Sequence, residues 1–132
     1  DGAIINGITA HPLYENTGNG RTKYGPIKSV GHVKGNYLVG CFRDARISEN
    51  GDNYKGYKVL VTPKLPARGS ITADLEIDMS VSQITLTHNN IEKIVTLENT
   101  LNDNISGVIG VSYTGGVLTL KIPEGEAVLL EF

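Results

Sequence analysis

Residues 70–79 read Ser70-Ile-Thr-Ala-Asp-Leu-Glu-Ile-Asp-Met79, and apolar and polar side chains alternate through them without a break. Ile71, Ala73, Leu75, Ile77 and Met79 fall on one side, and Thr72, Asp74, Glu76 and Asp78 on the other. Successive side chains of a strand point to opposite faces. The stretch therefore predicts an antiparallel strand with one face on a core and the other in water.

The same signal recurs on either side. Downstream, Val81 to Thr87 and Ile91 to Leu97 predict a hairpin about His88-Asn89-Asn90, since asparagine accepts left-handed backbone angles. Asn99 to Ser106 is polar and reads as a loop, Val108 to Tyr113 as a strand, and Gly115-Gly116 as a turn. The last stretch, Gly115 to Phe132, reads GGVLTLKIPEGEAVLLEF: strand, Pro-Glu-Gly-Glu turn, strand. An apolar end of this kind predicts a closing hairpin tied into a sheet, because loose ends are normally polar. Upstream, Tyr57 to Thr62 is a strand closed by Pro63 and Pro66, and Asp44 to Gly56 a polar loop. Ile27 to Val33 and Tyr37 to Arg43 predict a hairpin about Gly35-Asn36. Residues 1–25 are the least regular and read as a connector or edge segment, with residues 26–132 as the domain proper.

About eight or nine short strands with no 3.6-residue stripe predict an all-β, single-domain, antiparallel β-sandwich. Ile71, Leu75, Ile77, Leu118, Leu120, Leu129 and Leu130 are expected in its core. The length of 132 residues is enough for one core. A net charge of −2 with no Lys/Arg run argues against nucleic acid as a partner. No apolar run approaches the roughly 18 residues needed to span a bilayer. Cys41 is the only cysteine, so no internal disulfide can form. A chain that starts at Asp1 without methionine reads as a processed product or, preferably, a piece of a longer polypeptide.

Chemistry-bearing residues are scattered. Asp74, Glu76 and Asp78 share one strand face at spacings of about 7 Å, within the roughly 5–10 Å that glycoside hydrolysis needs. Their side chains point in parallel into solvent rather than across a cleft, so a solvated face is expected. His11, His32 and His88 stand far apart, with no metal-ligand spacing. Cys41 beside Phe42 reads as a buried, inert thiol. Glu49, Asn50, Asp52 and Asn53 can supply calcium oxygens, but their spacing is not that of an EF-hand and is also ordinary turn chemistry, so no cofactor is expected. Tyr14, Tyr24 and Tyr54, with Arg21 and Arg43, are candidates for a shallow glycan platform. A phenol ring can stack on a sugar's C–H face, and a guanidinium can bind its hydroxyls.

Three segments carry a resemblance: the run Tyr57-Lys-Val-Leu-Val-Thr62, the phrase Leu75-Glu-Ile-Asp-Met-Ser80 ahead of Ile84, and the closing GGVLTLKIPEGEAVLLEF. Over residues 57–132, and less over 27–43, the chain resembles the C-terminal all-β sandwich domains of bacterial glycoside hydrolases. It has Pro-Glu-Gly-Glu where that family has a Pro-Gly turn, and Thr62-Pro63 where a small polar residue is common. The resemblance implies an exported bacterial protein, periplasmic or extracellular, with a catalytic (β/α)-barrel upstream in the same polypeptide as this domain's partner. It carries over no catalytic residue, since those belong to the barrel. The function expected is therefore non-catalytic: packing on the barrel and stabilising it. The alternatives are an autonomous carbohydrate-binding module and an Ig-like structural domain of a surface protein. No nucleophile, base and orienting group stand together in the sequence, so the isolated chain is not expected to be an enzyme.

Overall fold

A computed structural model of the chain describes residues 3–5, 8–10, 14–15, 25–35, 37–44, 51–63 and 69–132, with backbone alone at 3–15, 32–33, 43–44 and 51–52. The strands are β1 (Ala3–Ile5), β2 (Ile8–Ala10), β3 (Tyr14–Glu15), β4 (Ile27–Lys34), β5 (Tyr37–Asp44), β6 (Lys58–Pro63), β7 (Ile71–Ile77), β8 (Gln83–His88), β9 (Ile91–Thr96), β10 (Leu101–Ile105), β11 (Ile109–Thr114), β12 (Val117–Ile122) and β13 (Val128–Glu131). All pairings are antiparallel and make two sheets. The larger has the order β1-β2-β5-β6-β13-β8-β9, with β3 also against β5, and the smaller the order β10-β11-β12-β7-β4. Among the described residues the one helical piece is a 3₁₀ turn at Gly51–Tyr54, and no helix is long and apolar enough to cross a membrane.

The alternation of β7 survives into the structure. Ile71, Ala73, Leu75 and Ile77 are buried, and they face the row Val59, Val61, Ile84, Leu86, Val128 and Leu130 from the larger sheet. Each large apolar side chain so buried contributes roughly 1.5–3 kcal/mol. β7 is central, between β12 and β4. Of the first 25 residues, β1 pairs with β2, and β2 and β3 pair with β5, on one side of the larger sheet.

Two expected hairpins are not hairpins. β12 pairs with β7 and β11 in the smaller sheet, whereas β13 pairs with β6 and β8 in the larger. Pro123, without an N–H, ends the β12 ladder. The chain then crosses the sandwich through Gly125 at φ 83°. Likewise β4 pairs with β7 and β5 with β6, so the turn at Gly35 links the sheets. Gly35 holds φ 72°, and a Cβ there would lie 2.8 Å from Ile71 Cγ2.

Three smaller expectations also change. Met79 is 92% exposed rather than inward, because the ladder stops at Ile77. There Asp78 Oδ1 accepts hydrogen bonds from Ser80 N at 2.9 Å and Ser80 Oγ at 2.8 Å, which turns the chain. Leu129 is half-buried, since β13 points Val128 and Leu130 inward and Leu129 out. The supposed loop at Asn99 to Ser106 contains β10, an edge strand with Asn102, Asp103 and Asn104 exposed. Polar residues, including an inward-pointing charge, are what an edge strand carries to resist further pairing.

Candidate functional site

The two ends of the sandwich hold the chemistry. At one end is His88. Its parity with Ile84 and Leu86 places it on the inner face of β8, and it is 2% exposed. A buried imidazole needs partners. Nε2 lies 2.7 Å from Glu126 Oε2, on the β12–β13 crossing, and Nδ1 lies 2.6 Å from Ser106 Oγ, on the β10–β11 turn. A carboxylate only accepts, so Nε2 carries the proton of that bond. Ser106 Oγ is also 2.7 Å from the Ile105 carbonyl. One imidazole thus ties the end of β8 to a turn of the opposite sheet and to the connection between the sheets.

Hydroxyl, imidazole and carboxylate in line is an arrangement used for nucleophilic catalysis. The surroundings here differ from such a centre. Gly107 N–H donates to Asn104 Oδ1 at 2.9 Å and Val108 N–H to the Ile105 carbonyl at 3.0 Å, so the two amides that follow the hydroxyl are occupied. An oxyanion would find neither free. Ser106 (φ 52°) and Gly107 (φ 71°) close the turn, as Asn89 (φ 48°) and Asn90 (φ 66°) close the neighbouring one. The sequence reading missed this cluster and placed His88 in a turn. The period-two row Ile84, Leu86, His88 was the signal available.

At the opposite end lie two hollows of about 430 and 540 Å³ with Val81 and Ser82 as a common wall. Asp78, Met79, Ser80, Leu97, Glu98 and Tyr113 line the first; Asn53, Lys55, Gln83 and Thr85 are among those lining the second. Tyr54 supports this end from below. It is 2% exposed, meets Tyr57 edge-on with ring centroids 5.3 Å apart, and reaches Asp78 Oδ2 with its hydroxyl at 3.4 Å. Tyr57 in turn needs Gly25, where a Cβ would come within 2.5 Å of its ring.

The proposed glycan platform therefore loses Tyr54, whose ring is a core plug. Its polar neighbours suggested a surface, but a large aromatic gains more by burial than by standing in water. Arg21 and Tyr24 lie outside the described residues, and Tyr14 in β3 and Arg43 in β5 are placed by backbone only. Of the candidate calcium residues, Glu49 and Asn50 lie outside the described residues; Asp52 is in the 3₁₀ turn, described by backbone alone, and Asn53 is exposed at its end. Among the described residues no three His, Cys, Asp or Glu side chains gather as metal ligands. Of the other histidines, His11 is outside the described residues and His32 is on β4.

The carboxylates of β7 do not form a set. Asp74 accepts from Thr119 Oγ1 at 2.7 Å, Glu76 is exposed near Ser29 Oγ, and Asp78 has left the strand. Cys41 is buried, as expected. At the sandwich side, Lys93 of β9 bonds Asp103 of β10 across the two sheets. The Lys93 ammonium, with help from the Asn104 N–H, holds the Asp103 carboxyl below its ordinary range. The chain matches no protein-family profile, no curated protein and no solved structure.

Proposed function

We propose that this chain is a non-catalytic β-sandwich module at the C-terminal end of a larger, exported bacterial carbohydrate-processing enzyme. The outer face of its larger sheet packs on the catalytic barrel and stabilises it. The observation that supports this reading is a difference between the two outer faces. On the smaller sheet that face carries Thr72, Asp74, Glu76, Thr119, Lys121, Ser112, Asn102 and Asn104, with Val117 as the large apolar side chain among the residues whose side chains are described. On the larger sheet Leu38, Phe42, Leu60, Leu129 and Ile94 stand among Lys58, Thr62, Thr85, Thr87, Glu92 and Glu131, with Leu60 37% and Ile94 58% exposed, so that face is mixed but carries more large apolar side chains. Leu60 and Leu129 are direct cross-strand neighbours. A face of that composition gains by leaving water, and interfaces within a chain bury such patches. The occupied amides around Ser106 favour a structural role for the His88 cluster, in keeping with a module that leaves catalysis to its partner.

The test begins with the reading frame upstream of Asp1. A catalytic domain there is expected, and a frame that encodes none overturns the proposal. In the full polypeptide, Leu60→Glu with Ile94→Glu should lower the melting temperature of the catalytic domain while the fold of this module persists. Unchanged melting of that domain would also defeat the reading.

A further inference from the structure

We propose that the hollowed end of the sandwich is a binding site for a neutral oligosaccharide, seated across the ridge made by Val81 and Ser82. The choice of ligand leans on the carbohydrate part of the reading above; the place of the site rests on geometry alone.

Space comes first. The two hollows, about 430 and 540 Å³, share that ridge, and each falls within the roughly 300–1,000 Å³ usual for small-molecule clefts. Wall chemistry then selects the ligand. The first hollow sets the Glu98 carboxylate and the Ser82 hydroxyl around the apolar Met79; its lining also includes Asp78 and Ser80, which bond each other, and the largely buried Tyr113. No lysine or arginine lines it among the described residues; the second is lined by Lys55 and by Glu131, which lies 3.8 Å from the Lys58 ammonium. Phosphate or carboxylate ligands would meet a negative wall in the first hollow. A sugar ring brings hydroxyls to the Glu98 carboxylate and the Ser82 hydroxyl, and a C–H face to the exposed Met79 thioether. A cationic amine would satisfy the carboxylates and waste the apolar floor.

Met79 strengthens the inference. It is 92% exposed at the tip of its turn, an adaptable apolar side chain left in water on the rim of a hollow. The backbone adds an independent sign. Asn53 and Tyr54 hold φ 57° and 67° in succession. Positive φ is unusual for a bulky residue, and such strain persists only where the surroundings enforce it. Here the burial of Tyr54 and its hydroxyl on Asp78 do so. The strained turn places Asn53 on the wall of one hollow and steadies the carboxylate of the other.

The test is a titration of the ¹⁵N-labelled whole chain, followed by amide shifts. Neutral gluco-, xylo-, manno- and galacto-oligosaccharides are compared with oligogalacturonate and with glucosamine oligomers, each to about 10 mM, above the millimolar range of weak binding. At least one neutral series should shift Met79 to Gln83, Glu98 and Gly115-Gly116, and leave Ser106 and Glu126 unmoved. Met79→Ala should weaken that binding about fivefold or more, the scale expected for lost apolar contact, with melting unchanged. Glu98→Gln should weaken it as well. Absence of shifts with every neutral series, shifts that map elsewhere, a response to acids or amines only, or full affinity in Met79→Ala would each overturn the proposal. Binding here with no effect of Leu60→Glu and Ile94→Glu on a catalytic domain leaves this site standing and removes the docking face; the converse result removes this site alone.

Discussion

The closed end of the sandwich and the hollow end use the same kinds of residue to opposite effect. At the closed end His88 spends its two ring nitrogens on two other connections, Ser106 on one and Glu126 on the other, so three segments are drawn together. At the hollow end Asp78 spends one oxygen within its own turn, on Ser80, and the other faces the buried Tyr54. Main-chain bonds do reach the neighbouring turns, from Ile77 N–H to the Gly116 carbonyl at 2.8 Å and from Leu97 N–H to the Ser82 carbonyl at 2.8 Å, yet space remains between them. At the closed end one buried imidazole bridges two connections with its side chain, whereas at the hollow end the turns are joined by main-chain bonds and a gap is left between their side chains.

The strongest way to break the contrast is to remove the element that spans both ends. β13 starts beside the Glu126 crossing and leads to Phe132, which exchanges backbone hydrogen bonds with Gly56 and Tyr57. Deleting Glu126 to Phe132 removes buried Val128 and Leu130 and separates β6 from β8. The loss of several kcal/mol is comparable with the roughly 5–15 kcal/mol of a whole domain. The truncated chain should lose its cooperative melt by circular dichroism; a melt near the parent temperature would show that β6 and β8 do not need it.

Next comes the pin itself. His88→Ala leaves a hole and strips Glu126 and Ser106 of their partner, at an expected cost of about 2–4 kcal/mol in urea unfolding. His88→Leu restores volume without the hydrogen bonds and should fall between Ala and the parent. If both variants unfold with the parent, the closed end is held by its apolar neighbours alone.

Smaller changes belong to the hollow end. Tyr54→Phe keeps the ring and removes one long hydrogen bond, so it should cost about 0.5–1.5 kcal/mol. Met79→Ala should stay within about ±0.5 kcal/mol, because its side chain is in water. A larger loss would mean that the turn, not the ligand, needs the methionine.

The last test concerns the sandwich side between the ends. The Asp103 carboxyl titrates below its usual 3.8 when folded. Its bond to Lys93 therefore stabilises the fold above that value, and the contribution is lost as pH falls through the folded value. Asp103→Asn should melt slightly below the parent at neutral pH, with the gap closing in acid and in high salt. A gap independent of pH would assign the effect to shape rather than charge.

Strand periodicity was legible wherever one face is buried and the other wet, as in Ile71 to Ile77 and in β8. It fails for β10, where edge position makes Asn102, Asp103 and Asn104 polar on both sides. Pairing was less legible than strand position. Gly35-Asn36 and Pro123 to Gly125 announce reversals of the chain, but a reversal within a sheet and a step between sheets can carry the same turn residues. Only long-range partners, such as Val61 for Val128, separate the two. The cluster at His88 was half legible: parity in β8 turned the imidazole inward, while Ser106 and Glu126 come from elements brought together by the fold. The hollow end was not legible, because the exposure of Met79 follows from where Asp78 stops the ladder.

The position of β13 also bears on how the molecule is born. It is the last of the described strands to leave the ribosome, yet it lies in the middle of the larger sheet, between β6 and β8. Until it arrives, the β8–β9 hairpin has no bridge to β5 and β6, and both halves show open edges. The smaller sheet, β4, β7 and β10 to β12, has every strand available earlier. Synthesis order thus splits folding into an early sheet and a late one, with the joining of β6 to β8 awaiting β13.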